Sequence, residues 1–109
     1  MAQFAIPARV LANVEAALTT LRGIAAQVTG ARTALDGRLG GCGRYEADVL
    51  TNRADDIAWA KQRLAHFREF APRNGVDAEA VLAGLGGVPD LSPSPAAADW
   101  LRDSAHPAA

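Results

Sequence analysis

The chain has 109 residues, enough for one domain, and a net charge of −1, so no global field draws in nucleic acid or an anionic membrane. Half of the residues are hydrophobic, but 25 of them are alanine, which favours helix and adds little burial. The core must therefore come from a limited set of Leu, Val, Ile and aromatic side chains, which favours a thin structure or one completed by a partner. Cys42 is the only cysteine, which excludes an intramolecular disulfide and a cysteine-rich zinc site.

Charge is unevenly spread. Residues 1–73 carry +3 and residues 74–109 carry −4, an acidic tail beside a mildly basic body. No apolar run approaches the roughly 18 residues needed to span a bilayer, and no basic-then-apolar leader is visible at the start. The expectation is a chain made in the cytoplasm, with export without a cleaved signal, or a place in an assembled particle, left open.

The first long segment runs from about Pro7 to Asp36. Leu11, Val14, Leu18, Leu21, Ala25, Val28 and Leu35 fall alternately three and four apart, with one miss at Arg32. Val10, Ala17, Ile24 and Ala31 widen the stripe. This spacing predicts a core-facing helix, with Pro7 suited to its first turn. Gly37, Gly40, Gly41 and Gly43 then break the pattern around Cys42 and predict a flexible turn between antiparallel helices.

The second long segment runs from about Tyr45 to Ala71. Leu50, Ile57, Ala60, Leu64, Phe67 and Ala71 share a face interrupted by Arg53, and Val49, Trp59 and Phe70 widen it. Arg44 with Asp48, and Glu69 with Arg73, are spaced for surface ion pairs. Pro72 and Asn74-Gly75 stop the helix. Asp77 caps a short helix over Ala78–Leu85, which Gly84, Gly86 and Gly87 end. A proline-rich linker follows at 88–95, and Ser94-Pro95 opens a last short helix to about Ser104, anchored by Trp100 and Leu101, with a frayed end. The fold class is all-α: two long antiparallel helices in a hairpin over residues 1–75, plus one or two short C-terminal helices over 76–109.

No residue set assembles into a catalytic, cofactor or metal site. Gly40-Gly41-Cys42-Gly43 lacks the lysine and the preceding strand of a phosphate loop, and reads as a turn. Cys42 sits near Arg38 and Arg44 ahead of a helix start, a setting that activates thiols, but the nearest histidine in sequence is His66, too far along the helix to serve as its base. A thiol enzyme or redox sensor is thus the weakest of three readings. His66 with Glu69 and Gln62 offers too few ligands for a metal. Asp55 and Asp56 point about 100° apart on a helix and do not converge. Arg53, Arg63, Arg68 and Arg73 alternate with acids, so no phosphate-binding stripe forms.

Two helices cannot by themselves bury stripes this wide. Either the C-terminal helices cover them or another chain does. The leading expectation is a non-enzymatic interaction protein that meets a protein partner, or itself, through Leu11, Val14, Leu18, Leu21, Val28 and Leu35 on the first helix. Leu50, Ile57, Trp59, Leu64, Phe67 and Phe70 would serve on the second, with Trp100 and Leu101 in the tail. The alternative is a small structural subunit of a virion or injection machine that uses the C-terminal segment as an arm.

The turn Leu39-Gly40-Gly41-Cys42-Gly43, with Tyr45 opening the next helix, resembles the WXG-type proteins of type VII secretion over about residues 5–73. Leu39 stands where that family carries tryptophan. Its C-terminal Tyr-x-x-x-Asp/Glu export signal has only Trp100 with Asp103 as an echo. The resemblance implies a dimeric, secretion-associated helical hairpin that acts by binding and has no active site.

Overall fold

The structure is a computed structural model that describes residues 6–105. All of its elements are helical: α1 (Ala8–Gly30), a π-helical segment (Ala31–Asp36), a 3-10 turn (Gly37–Leu39), α2 (Arg44–Asn52), α3 (Ala54–Arg73), α4 (Ala78–Gly84) and α5 (Pro95–Ala105). None of these helices is long and apolar enough to cross a membrane. The expected fraying of 106–109 lies outside the described residues.

Both long segments depart from an unbroken α-helix. Pro7 does open α1, its carbonyl accepting from the amides of Val10 and Leu11 at 2.9 and 3.0 Å. After Gly30, however, the coil widens, and the Gly37 amide donates to the Arg32 carbonyl five residues back. The wider turn shifts the inward face by one residue. Ala31 and Asp36 are buried, while Leu35, expected in the stripe, is 45% exposed. The second segment breaks at Arg53, whose φ of −104° and ψ of 13° leave the α region. The apolar row meets an arginine there, between Leu50 and Ile57, and the helix restarts at Ala54.

The chain condenses into two compact units, one of residues 6–22 and 56–89, the other of 23–55 and 90–105. Each draws on distant stretches of sequence. The first unit holds Val14, Leu18, Leu21, Leu64, Phe67 and Leu82 in its interior, with alanines Ala17, Ala60 and Ala71 between them. Burial of each large side chain contributes roughly 1.5–3 kcal/mol. The second unit holds Ile24, Val28, Ala31, Ala47, Leu50 and Ala97, together with two carboxylates, Asp36 and Glu46.

Helix ends follow the residues predicted for them except at Pro72, which lies inside the last turn of α3. At the end of α3 the Val76 amide reaches back to the Ala71 carbonyl (2.8 Å) and the Gly75 amide to that of Pro72 (3.3 Å). Gly75 takes a φ of 70°, and Val76 folds inward as the apolar closure of the motif. Asp77 caps α4 by accepting from the Ala80 amide at 3.2 Å. The glycines after α4 repeat the α3 ending, with Gly87 donating to Leu82 (2.8 Å) and Gly86 to Ala83 (3.1 Å). The Arg22 guanidinium donates to the carbonyls of Leu85 and Gly87 beyond. Ser94 caps α5: its Oγ accepts from the Ala97 amide at 3.3 Å. Arg68 of α3 meets Glu79 of α4 at 2.9 Å, an exposed contact worth under about 1 kcal/mol, and within α5 Arg102 pairs with Asp99.

Gly43, the residue before α2, lies against the first turn of α5. Its φ is 79°, and a Cβ placed there would lie 2.4 Å from the backbone of Ala96 and Ala97. Gly43→Ala is therefore expected to cost at least about 2 kcal/mol in urea unfolding, from left-handed strain and backbone overlap together. Gly23→Ala, in a helix interior with nothing within 4 Å of the new methyl, is expected to gain about 0.5–1 kcal/mol in the same measurement.

Candidate functional site

The residues expected to face a partner separate into three groups. Val14, Leu18, Leu21, Val28, Leu50, Leu64 and Phe67 are each less than a tenth exposed and belong to the chain's own interior. They cannot be offered to another chain while this fold persists. Leu11, Ile57, Phe70 and Leu101 are half-buried. Leu35, Trp59 and Trp100 are 45%, 38% and 40% exposed.

Two sites emerge, one in each unit. The first is a polar cluster around the glycine turn of the second unit, and periodicity gives no sign of it. Asp36, at the end of the π-helical segment, aims its carboxylate at the start of α2. Oδ1 accepts from the Tyr45 amide at 2.9 Å and Oδ2 from the Glu46 amide at 3.0 Å. The Cys42 thiol, half-buried, donates to the same Oδ1 at 3.5 Å. These amides have no intrahelical partner, so a carboxylate there satisfies them and complements the helix dipole. The three turn glycines, Gly40, Gly41 and Gly43, all take positive φ, which lets the chain double back over Asp36 within a few residues.

Glu46 is fully buried. Its carboxylate accepts from Arg32 Nε and Nη2 at 2.9 and 3.0 Å, and from the Ser94 amide and hydroxyl at 2.8 Å each. The arginine fork holds this carboxyl well below its ordinary value of 4.5, at about 2, with help from Ser94 and against the opposing effect of burial. One side chain thus joins the π-helical segment, α2 and the first turn of α5. Both carboxylates accept from donors of the chain itself, so the cluster braces this unit.

The second site is an open groove of about 220 Å3 in the first unit. Val10, Asn13 and Val14 of α1 form one wall, and Arg63, His66, Phe67 and Phe70 of α3 the other. On α3 the residues Trp59, Arg63, His66 and Phe70 are spaced four, three and four apart. Each stands one position before a member of the buried row Ala60, Leu64, Phe67 and Ala71, so a second stripe runs along the edge of the core. The Arg63 guanidinium rests 5.6 Å from the centre of the Trp59 ring, and its Nε is buried with no hydrogen-bond acceptor. In the other unit, Arg44 lies between the rings of Tyr45 and Trp100, at 5.9 and 5.8 Å. Among the described residues, no three His, Cys, Asp or Glu side chains are placed to hold a metal ion.

Glu46→Ala is expected to cost about 2–4 kcal/mol, less than a wholly buried ion pair because Arg32 keeps half its side chain in water. Since folding lowers the Glu46 pKa, its ionised form stabilises the fold above the unfolded value. The stability gap between wild type and Glu46→Gln should therefore be full above about pH 4.5 and close as pH falls toward 2. Thermal melts across that range check it.

Compared with protein-family models, curated proteins and solved structures, the chain gives no match.

Proposed function

We propose that the protein is a non-enzymatic helical interaction protein, and that its binding surface is the groove between the start of α1 and the outer stripe of α3. The observation that carries this reading is that stripe. Trp59, Arg63, His66 and Phe70 place aromatic and basic groups, partly open to solvent, beside a groove with apolar walls. Helices bind in such grooves through apolar anchors at three- and four-residue spacing. The polar lining, Asn13, Arg63 and His66, contains no carboxylate. The fitting partner is thus a helix with an apolar anchor and an acidic side chain nearby. The buried carboxylates Asp36 and Glu46 support the non-enzymatic part, because both are spent on amides, Arg32 and Ser94.

The resemblance to WXG-type proteins adds pairing of the long helices as a hairpin, dimerisation and a link to secretion. It rests on the turn at 39–43, where Leu39 is 58% exposed. The reading as a structural subunit draws on Trp100, exposed on α5 and flanked by Asp99 and Asp103.

A photo-crosslinking residue at His66, in cells that make the protein, is expected to give discrete protein adducts. The same residue at Lys61, about 140° around the helix, should give none. Arg63→Glu should remove the His66 adducts without changing helix content. Equal labelling from both positions, or adducts indifferent to Arg63→Glu, would show that the groove is not the binding surface.

A further inference from the structure

The groove and the C-terminal helix are complementary in chemistry. The groove is short of negative charge: its polar lining is Asn13, Arg63 and His66, and Arg63 Nε is buried without an acceptor. A buried donor in that state favours the arrival of a carboxylate. Its volume, about 220 Å3, is below the range of roughly 300–1,000 Å3 usual for small-molecule pockets and suits one large side chain. On α5, Trp100 is 40% exposed with the Arg44 guanidinium over its ring. Asp99 before it pairs with Arg102, and the acidic group offered outward is Asp103, three residues on and exposed. Residues 6–22 and 56–89, which hold the groove, carry +1 and residues 23–55 and 90–105, which hold α5, carry −2, so the units of two copies attract weakly at long range.

Resting on the interaction reading above, we propose that the groove of one copy receives Trp100 of a second copy, with Asp103 meeting Arg63. The indole fills the space between Phe70 and Val10, and the carboxylate supplies the acceptor that Arg63 Nε lacks. Groove and anchor are different surfaces, so the contact is heterologous and builds either a reciprocal pair or a head-to-tail chain. In both cases it depends on the same residues.

Sedimentation of the full chain over a concentration series at low salt tests this. Wild type should self-associate, and less so as salt rises. Trp100→Ala, Arg63→Glu and Asp103→Lys should each weaken association by about tenfold or more, with circular dichroism and melting confirming that each variant is folded. The double variant Arg63→Glu/Asp103→Lys should regain association. A wild type that stays monomeric throughout overturns the proposal, as does a Trp100→Ala protein that associates unchanged or a double variant with no recovery. If Trp100 and Asp103 prove indifferent while the His66 adducts still vanish with Arg63→Glu, the groove binds a different chain; the interaction reading then stands and only the self-docking fails.

Discussion

The Glu46 carboxylate sets the terms for the second unit. A buried ionised group is stable only when its lone pairs are occupied, and Glu46 fills them with Arg32 on one side and Ser94 on the other. That requirement reaches along the chain in three directions. Arg32 must be presented by the segment after α1, which is wound as a π-helix there. The Glu46 amide must be close to Asp36, so the turn between them has to be short and glycine-rich. Ser94 must arrive next to α2, so Gly43 leaves room for the backbone of Ala96 and Ala97. The π-helix, the turn and the docking of α5 are one arrangement viewed from three positions in sequence.

This has a consequence for Cys42. A lone thiol in a glycine turn beside arginines invites a reactive role, but its neighbour in space is the carboxylate of Asp36. The arginine that matters to the cluster is Arg32, and it is engaged by Glu46. Arg44 lies instead between two aromatic rings. The contact the sulfur makes is thus with a carboxylate.

In the first unit the organising fact is that α3 has two adjacent rows, one apolar and one mixed aromatic and basic, with different fates. Ala60, Leu64, Phe67 and Ala71 are buried, and the shifted row of Trp59, Arg63, His66 and Phe70 stays at the boundary. A helix surface is continuous around its axis, so a stripe wider than one neighbour can cover leaves an edge in contact with water. That edge, with the opening of α1 across from it, is the groove.

The sequence by itself determined the all-helical class, the opening of α1 at Pro7 and the glycine turn. It also determined the stops at Gly75 and Gly86 and the caps Asp77 and Ser94, because these depend on backbone geometry within a few residues. It also placed most of the interior, since Val14, Leu18, Leu21, Leu64 and Phe67 follow the helical repeat. Only the tertiary structure decided that these residues fill the chain's own core, that Leu35 turns outward while Asp36 turns in, and that the helix breaks at Arg53. Likewise Glu46, an ordinary polar position in the helical pattern, became the most enclosed carboxylate because its partners come from positions 14 residues before and 48 residues after it. Periodicity reports which side of a helix is apolar. It carries no information on which distant donor will reach a buried oxygen, or on which of two neighbouring rows the rest of the chain will cover.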